Sequence, residues 1–105
     1  MSEAEDKTTS LLAALWLRIR PIVEERLATL DGAAAAVTNG SLTEPLRKEA
    51  QGSAHKLAGS LGMYGYDEGT RIARQLEVVL ESNAPEAGSL TGLISELRAA
   101  IFPEG

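Results

Sequence analysis

The chain of 105 residues contains no cysteine and only one histidine. The lack of cysteine excludes disulfides, zinc–thiolate sites and cysteine nucleophiles. A single histidine cannot build a His-rich metal site within one chain, nor a pair of histidines that act on each other. The longest apolar runs are a handful of residues, as at 11–17, whereas a bilayer span needs about 20. The sequence therefore predicts neither a metal site nor a transmembrane helix.

Basic residues are also in the minority, because 10 Lys and Arg against 15 Asp and Glu give a net charge of −5. A nucleic-acid-binding protein carries a basic patch, for which an acidic chain of this size has little room. The first ten residues are acidic and polar, whereas a signal peptide begins basic and becomes apolar. We expect no nucleic-acid partner, no membrane partner and a cytoplasmic location.

Strand signals are nearly absent, and apolar residues recur at steps of three and four, which predicts helices. Pro21 either starts a second helix or kinks one longer helix, and we favour two segments, about 10–20 and 21–38. Ser41 or Thr43 caps the next helix, which reaches about Tyr64. The last two helices begin near Asp67 and Ser89 and end before the breaks at 82–85 and at Pro103.

Long amphipathic helices joined by short turns predict an all-α fold. The expected architecture is an up-down four-helix bundle with a short extra N-terminal helical segment. Residues 1–9 are predicted to be a flexible N-terminal tail, and residues 10–102 to form the bundle domain. With 44% hydrophobic and 24% charged residues, the composition is that of one soluble globular domain.

The helix that contains His55 has an unusual outer face. On a helical wheel its apolar stripe lies nearly opposite the histidine and consists of Leu46, Ala50, Ser53, Ala54, Leu57, Leu61 and Tyr64. Around His55 lie glycines and mainly polar residues, with Ala58 at the edge of this face: Glu44, Lys48, Gln51, Gly52, Gly59, Gly62 and Tyr66. Each glycine inside a helix costs about 0.8–1.0 kcal/mol relative to alanine. The pattern describes an exposed imidazole with cleared space for a partner, although a lone surface histidine is more often only a solvated residue.

The stretch from Ala54 to Gly65, AHKLAGSLGMYG, resembles the signature of histidine-containing phosphotransfer (HPt) domains. In that signature a glycine follows the histidine four positions on, a small residue five on, and a second glycine ten on. His55, Gly59, Ser60 and Gly65 match it. Residues 69–77 resemble the family's next helix, and the likeness extends from about residue 15 to 101. One departure is Ala58, where many members carry a lysine that helps to hold the phosphoryl group.

The resemblance implies a phosphorelay of two-component signal transduction. His55 would accept a phosphoryl group from a receiver-domain aspartate, or from a kinase, hold it as phosphohistidine and pass it to another receiver. The implied partners are receiver domains of response regulators or hybrid histidine kinases. The chain would be a phosphoryl carrier, not an enzyme or a stand-alone kinase, with no cofactor of its own. Magnesium is expected on the partner receiver, and the chain is expected to be a monomer.

Supporting and docking roles fall to the residues around His55, namely Lys48, Gln51, Gly52, Lys56, Gly59, Ser60 and Gly62. Lys48 or Lys56 would supply the cation missing at Ala58. Gln51 would bond the ring or a phosphoryl oxygen. Gly59 would give clearance, and Ser60 would bond the backbone or border the phosphate site.

Three other interpretations compete with this one. A degenerate member of the same fold could dock a partner without carrying phosphate, as the alanine at position 58 suggests. A hydrolytic enzyme could pair His55 with Glu49 or Asp67, but no serine or cysteine nucleophile shares their face. A plain dimerisation module would need apolar stripes on both sides of the His55 helix, which has one. Trp16 and the N-terminal segment could still pair two chains.

Overall fold

The structure, a computed structural model, describes the backbone of residues 3–103 and the side chains of residues 10–103. Its helices are α1 (Glu3–Thr38), α2 (Glu44–Met63), α3 (Asp67–Glu81) and α4 (Ala87–Ile101). α1 and α3 each pack against both α2 and α4, so the four helices form a closed ring around one core. The described residues contain no strand. The predicted all-α four-helix bundle is confirmed.

The separate N-terminal segment is a wrong prediction, because α1 runs without interruption through Pro21. A proline inside a helix removes one backbone donor, which is why two segments were favoured. Here an aromatic cluster holds the residues before Pro21 in line with the bundle. The ring centroid of Trp16 lies 4.8 Å from that of Tyr66 and 5.5 Å from that of Tyr64. Arg20, one turn further along the same face of α1, stacks over the ring of Phe102 at 4.5 Å.

The predicted tail falls mostly within α1, which begins at Glu3 rather than near residue 10. Residues 1 and 2 lie outside the described residues, and the flexibility of the tail stays a prediction. Leucines on the first part of α1 are exposed: Leu11, Leu12, Leu15 and Leu17. No helix in the described part of the chain is both long and apolar enough to span a bilayer.

The core lies between the four helices and is almost entirely aliphatic. Fully buried side chains come from every helix: Val23, Leu27 and Leu30 from α1, Leu57 and Leu61 from α2, Ile72, Leu76 and Leu80 from α3, and Leu90, Leu97 and Ile101 from α4. Gly69 is buried where α3 approaches α2, and a Cβ there would stand 3.2 Å from Leu61 Cδ1. The glycine lets the two helices pack closely at this end of the bundle.

The turns follow the sequence signals with two differences. Gly40 and Gly65 both have positive φ, 68° and 82°, directly after α1 and α2, as residues that end helices commonly do. Thr43 is the N-cap of α2 and its side chain accepts a bond from the Leu46 amide. Asp67 does not cap α3 but is its first residue, after Tyr66. α4 begins at Ala87, slightly before the predicted start.

Arg47 is buried, with 7% of its surface exposed, and it ties the start of α2 to the end of α3. Its Nη1 donates to the Leu80 carbonyl at 2.6 Å and to the Glu81 carbonyl at 3.4 Å. The last carbonyls of a helix have no partner within it, so the guanidinium satisfies acceptors that α3 leaves unpaired. Arg47 also forms an ion pair with Glu44, and that hydrogen bond lowers the pKa of the Glu44 carboxyl.

We expect Arg47→Ala to lower the free energy of unfolding by about 1–3 kcal/mol, because the buried Leu80 carbonyl loses its donor. Urea denaturation measures the change. Arg71→Ala is the matched control, since Arg71 forms the same i,i+3 pair with Glu68 but is exposed. Its loss should stay within about 0.5 kcal/mol. Equal losses in the two variants would show that the bonds to the α3 carbonyls add nothing to the ion pair.

Candidate functional site

His55 lies in the middle of α2, on the side of the helix that faces away from the core. Its neighbours Ala54 and Leu57 are buried, and their packing holds the helix against the bundle. The histidine side chain itself is 73% exposed. The exposed imidazole predicted from the helical wheel is therefore present at the surface.

One nitrogen of the ring is engaged by a carboxylate from the next helix. His55 Nδ1 lies 2.8 Å from Oε2 of Glu77, whose side chain is 26% exposed. An ionised carboxylate only accepts hydrogen bonds, so the contact places the proton of the neutral ring on Nδ1. Nε2 then carries the lone pair. The arrangement gives an oriented imidazole whose other nitrogen is available as a nucleophile.

Two further contacts between α2 and α3 fix the position of Glu77 along the helix axis, level with His55. Thr70 Oγ1 donates to the carbonyl of Ala58 at 3.1 Å. Toward the other end of the same helix pair, Arg47 binds the last carbonyls of α3. The contact between His55 and Glu77 lies between these two, so this hydrogen bond depends on the register of the whole antiparallel helix pair.

The glycines around His55 leave open space, as the sequence predicts. A Cβ added at Gly52 or Gly59 would meet no heavy atom within 4 Å. At Gly62 it would lie 3.4 Å from Thr70 Oγ1, which is ordinary packing distance. A side chain at Gly52 or Gly59 would therefore project into solvent beside the imidazole rather than into the bundle.

None of the other predicted residues forms a hydrogen bond or ion pair with His55 within the described residues. Lys48 and Lys56 are exposed, and Gln51 and Ser60 are half-buried. Lys56 lines a shallow groove between α2 and α1, together with Gly52 and the α1 residues Ile22, Glu25, Arg26 and Thr29. Neither Gln51 nor Ser60 forms a side-chain hydrogen bond within the described residues, so their roles stay predictions.

Position 58 differs from its place on the helical wheel, which put it at the edge of the His55 face. Ala58 is only 6% exposed and belongs to the core cluster where α2 meets α3. The small side chain lies at the boundary between the two helices, next to Thr70. The Thr70 hydroxyl donates a hydrogen bond to the Ala58 carbonyl.

Glu77 is the residue of the site that the sequence did not assign. Glu49 and Asp67 were the carboxylates considered for His55, and the structure pairs the ring with neither. The available signal was the phase of α3, where Glu77 directly follows the buried Leu76 and so borders the apolar stripe. The helical phase of α3 alone does not specify which residue of α2 lies opposite Glu77.

Several charged side chains elsewhere on the bundle pair with one another. Arg71 forms hydrogen bonds with Glu68, which lower the pKa of the Glu68 carboxyl. Arg98 binds Asp31 on the opposite side of the bundle, with Nη1 2.8 Å from Oδ1. Across residues 10–103, no group of three or more His, Asp or Glu side chains is arranged to hold a metal ion.

Comparison with known proteins identifies the family of the chain. The family model of the Hpt domain matches residues 20–101, which include His55 and Glu77. Protein RcaC from Microchaete diplosiphon is 33% identical over 76 residues, which is 72% of this chain but 12% of that protein. The chain thus corresponds to a small part of that relative. No solved structure shows significant similarity. Since the family match covers most of the chain, the protein belongs to the Hpt domain family.

Proposed function

We propose that the chain carries a phosphoryl group on Nε2 of His55 between the aspartates of two receiver domains, or from a kinase to a receiver. The observation that supports this most directly is the exposed ring whose Nδ1 is held by Glu77 at 2.8 Å. Membership of the Hpt domain family implies histidine phosphotransfer in a phosphorelay. The donor, the acceptor and the direction of transfer belong to the proposal.

In the transfer step, the Nε2 lone pair of His55 attacks the phosphorus of an aspartyl phosphate. The Nε2–P bond forms while the bond between phosphorus and the aspartate oxygen breaks, and the aspartate leaves as a carboxylate. The proton on Nδ1 stays in place. The product ring is cationic, with the phosphoryl group on one nitrogen and the proton on the other. The reverse step on a second receiver restores the neutral ring.

Glu77 has two effects in this step. It holds the ring in one tautomer and one orientation, so that Nε2 points away from the bundle. Its negative charge also stabilises the positive charge that develops on the ring as the Nε2–P bond forms. Phosphoryl transfer depends mainly on such positioning and electrostatic stabilisation, and little covalent assistance is required.

The docking surface in this proposal surrounds His55 and extends into the shallow groove between α2 and α1. Gly52, Gly59 and Gly62 give a partner backbone room to approach, and Lys48, Gln51, Lys56 and Ser60 form its rim. Magnesium would be bound by the acidic cluster of the receiver, so this chain would act as a carrier and not as a kinase. The monomeric state and the cytoplasmic location expected from the sequence are part of the same proposal.

The first test is transfer from a phosphorylated receiver domain, followed by intact mass. We expect the chain to gain one acid-labile phosphoryl group, and His55→Gln to gain none. A folded chain that binds receivers but takes no phosphoryl group from them, nor from a kinase, would contradict the proposal. That outcome would favour a docking module that does not carry phosphate, in which the alanine at position 58 is the relevant departure.

The second test concerns Glu77. We expect Glu77→Ala to slow transfer to His55 roughly tenfold, the equivalent of one charge-assisted hydrogen bond of about 1.4 kcal/mol. Glu77→Gln keeps an acceptor but removes the charge, so its rate should fall between those of the alanine variant and the native chain. Imidazole ¹⁵N shifts should report the Nδ1–H tautomer in the native chain and a tautomer mixture in Glu77→Ala.

Glu81→Ala is the control for Glu77, because Glu81 lies one turn further along α3 and is exposed. Its rate and tautomer should match those of the native chain. Transfer that is equally fast in Glu77→Ala would show that the carboxylate does not act on the ring.

The third test concerns clearance at Gly59. Gly59→Met should leave the fold intact, since the new side chain meets open space, and helix propensity predicts a small gain in stability. It should nevertheless weaken receiver binding and slow transfer at least tenfold, because the side chain occupies the approach to His55. Gly92→Met on α4 is the matched control, also in open space. If both variants transfer at the native rate, the glycine face is not the docking surface.

A further inference from the structure

A phosphoryl group on His55 creates an electrostatic problem that the residues around the ring must solve. The group brings about 1.5–2 negative charges at neutral pH. It would stand on the same ring whose other nitrogen already binds the carboxylate of Glu77. Position 58, on the side of α2 that meets α3, offers no charge because it is a buried alanine. A cation from elsewhere in the chain would have to offset the added charge.

Most arginines of the described chain are already engaged with carboxylates or with aromatic rings. Arg47 binds Glu44, Arg71 binds Glu68, and Arg98 binds Asp31. Arg20 pairs with Glu24 and stacks on Phe102, which belongs to the aromatic cluster around Trp16. These guanidinium groups would have to give up existing partners to reach His55.

The two lysines closest to His55 in sequence, Lys48 and Lys56, do not lie on the side of α2 that faces α3. Lys56 lies in the groove toward α1, where Glu25 and Glu49 also line the wall. Arg26 lines the same groove, so its walls carry two acidic and two basic side chains. Lys48 lies two turns before His55 and nearer the start of α2. Neither lysine is on the α3 side, where Glu77 contacts His55 and Thr70 donates to the Ala58 carbonyl.

Arg74 is the cation on that side. Thr70, Arg74 and Glu77 follow one another at steps of four and three along α3, so they form one stripe. Thr70 contacts the Ala58 carbonyl and Glu77 contacts His55, so both ends of this stripe contact α2. Thr70 and Arg74 also line the groove between α3 and α4. Arg74 stands between the two contacts and is therefore level with the segment from His55 to Ala58.

Arg74 is also free to respond to a new charge. It is exposed, and it forms no ion pair within residues 10–103. Its Cβ is about 5–6 Å from that of Glu77, as for any i,i+3 pair on a helix, so its long side chain can reach past the carboxylate toward the ring. The planar guanidinium can donate two parallel hydrogen bonds to phosphoryl oxygens.

We propose that Arg74 binds the phosphoryl group on His55 and supplies the positive charge that position 58 lacks. This inference rests on the proposed function, because it concerns the phosphorylated form of the same histidine. In that form Glu77 holds the cationic ring through Nδ1–H, and Arg74 holds the anionic group on Nε2. Both residues come from one stripe of α3, so the same helix serves the two charges of phosphohistidine.

The test uses the full chain phosphorylated with phosphoramidate, a small donor that needs no receiver. We expect the Nε–H resonance of Arg74 to shift on phosphorylation, while that of Arg71 stays in place. Arg74→Ala should lower the phosphorylated fraction at equilibrium with a phosphorylated receiver about threefold to tenfold, the range for one exposed charge-assisted contact. Arg74→Lys should recover most of that loss, because it restores the charge. Arg71→Ala should match the native chain.

The outcomes separate this inference from the proposed function. A native chain that is phosphorylated while Arg74 Nε–H does not shift, or an Arg74→Ala variant with native equilibrium, overturns the role of Arg74 alone. A loss that appears in Lys48→Ala or Lys56→Ala but not in Arg74→Ala assigns the cation to a lysine and also overturns it. A native chain that takes a phosphoryl group from neither phosphoramidate nor a receiver overturns the proposed function and this inference together.

Discussion

The antiparallel packing of α2 against α3 is the constraint on which the site depends. Three contacts along this pair connect residues that are far apart in sequence: Arg47 with the end of α3, His55 with Glu77, and Thr70 with the Ala58 carbonyl. A slip of one helical position would carry Glu77 away from the ring and leave the Leu80 carbonyl without a donor. The contacts at either end are structural, and they hold the functional contact between them in place.

The two faces of α2 show how stability and reactivity are divided. The inner face is aliphatic and continuous with the core, and it supplies the burial that keeps the helix in position. The outer face carries glycines at a cost in helix propensity of about 0.8–1.0 kcal/mol each. The helix tolerates them because tertiary packing, rather than intrinsic propensity, provides most of its stability. The exposed imidazole of His55 thus lies on the face of α2 that contributes least to folding.

Local features of this chain could be predicted from its sequence, and features that depend on helix pairing could not. The Thr43 cap, the turn glycines and the exposure of His55 follow from nearest-neighbour chemistry and from helical phase. The continuity of α1 through Pro21 depends on Trp16 packing against rings that come from residues 64, 66 and 102. The partner of His55 depends on the register of α3, which no local pattern encodes. The burial of Ala58 has the same origin, since its place at the edge of the wheel becomes interior only once α3 is beside it.

The single free nitrogen of His55 has a kinetic consequence. Because Glu77 engages Nδ1, the proposed relay leaves Nε2 as the nitrogen that every receiver has to approach, from the same side of the ring. In the proposed relay, the donor must therefore leave before the acceptor can bind, and the exchange follows ping-pong order. The chain then works as a reversible reservoir between two receiver populations. Net flow follows their relative amounts and the free energies of their aspartyl phosphates, without any complex of all three proteins.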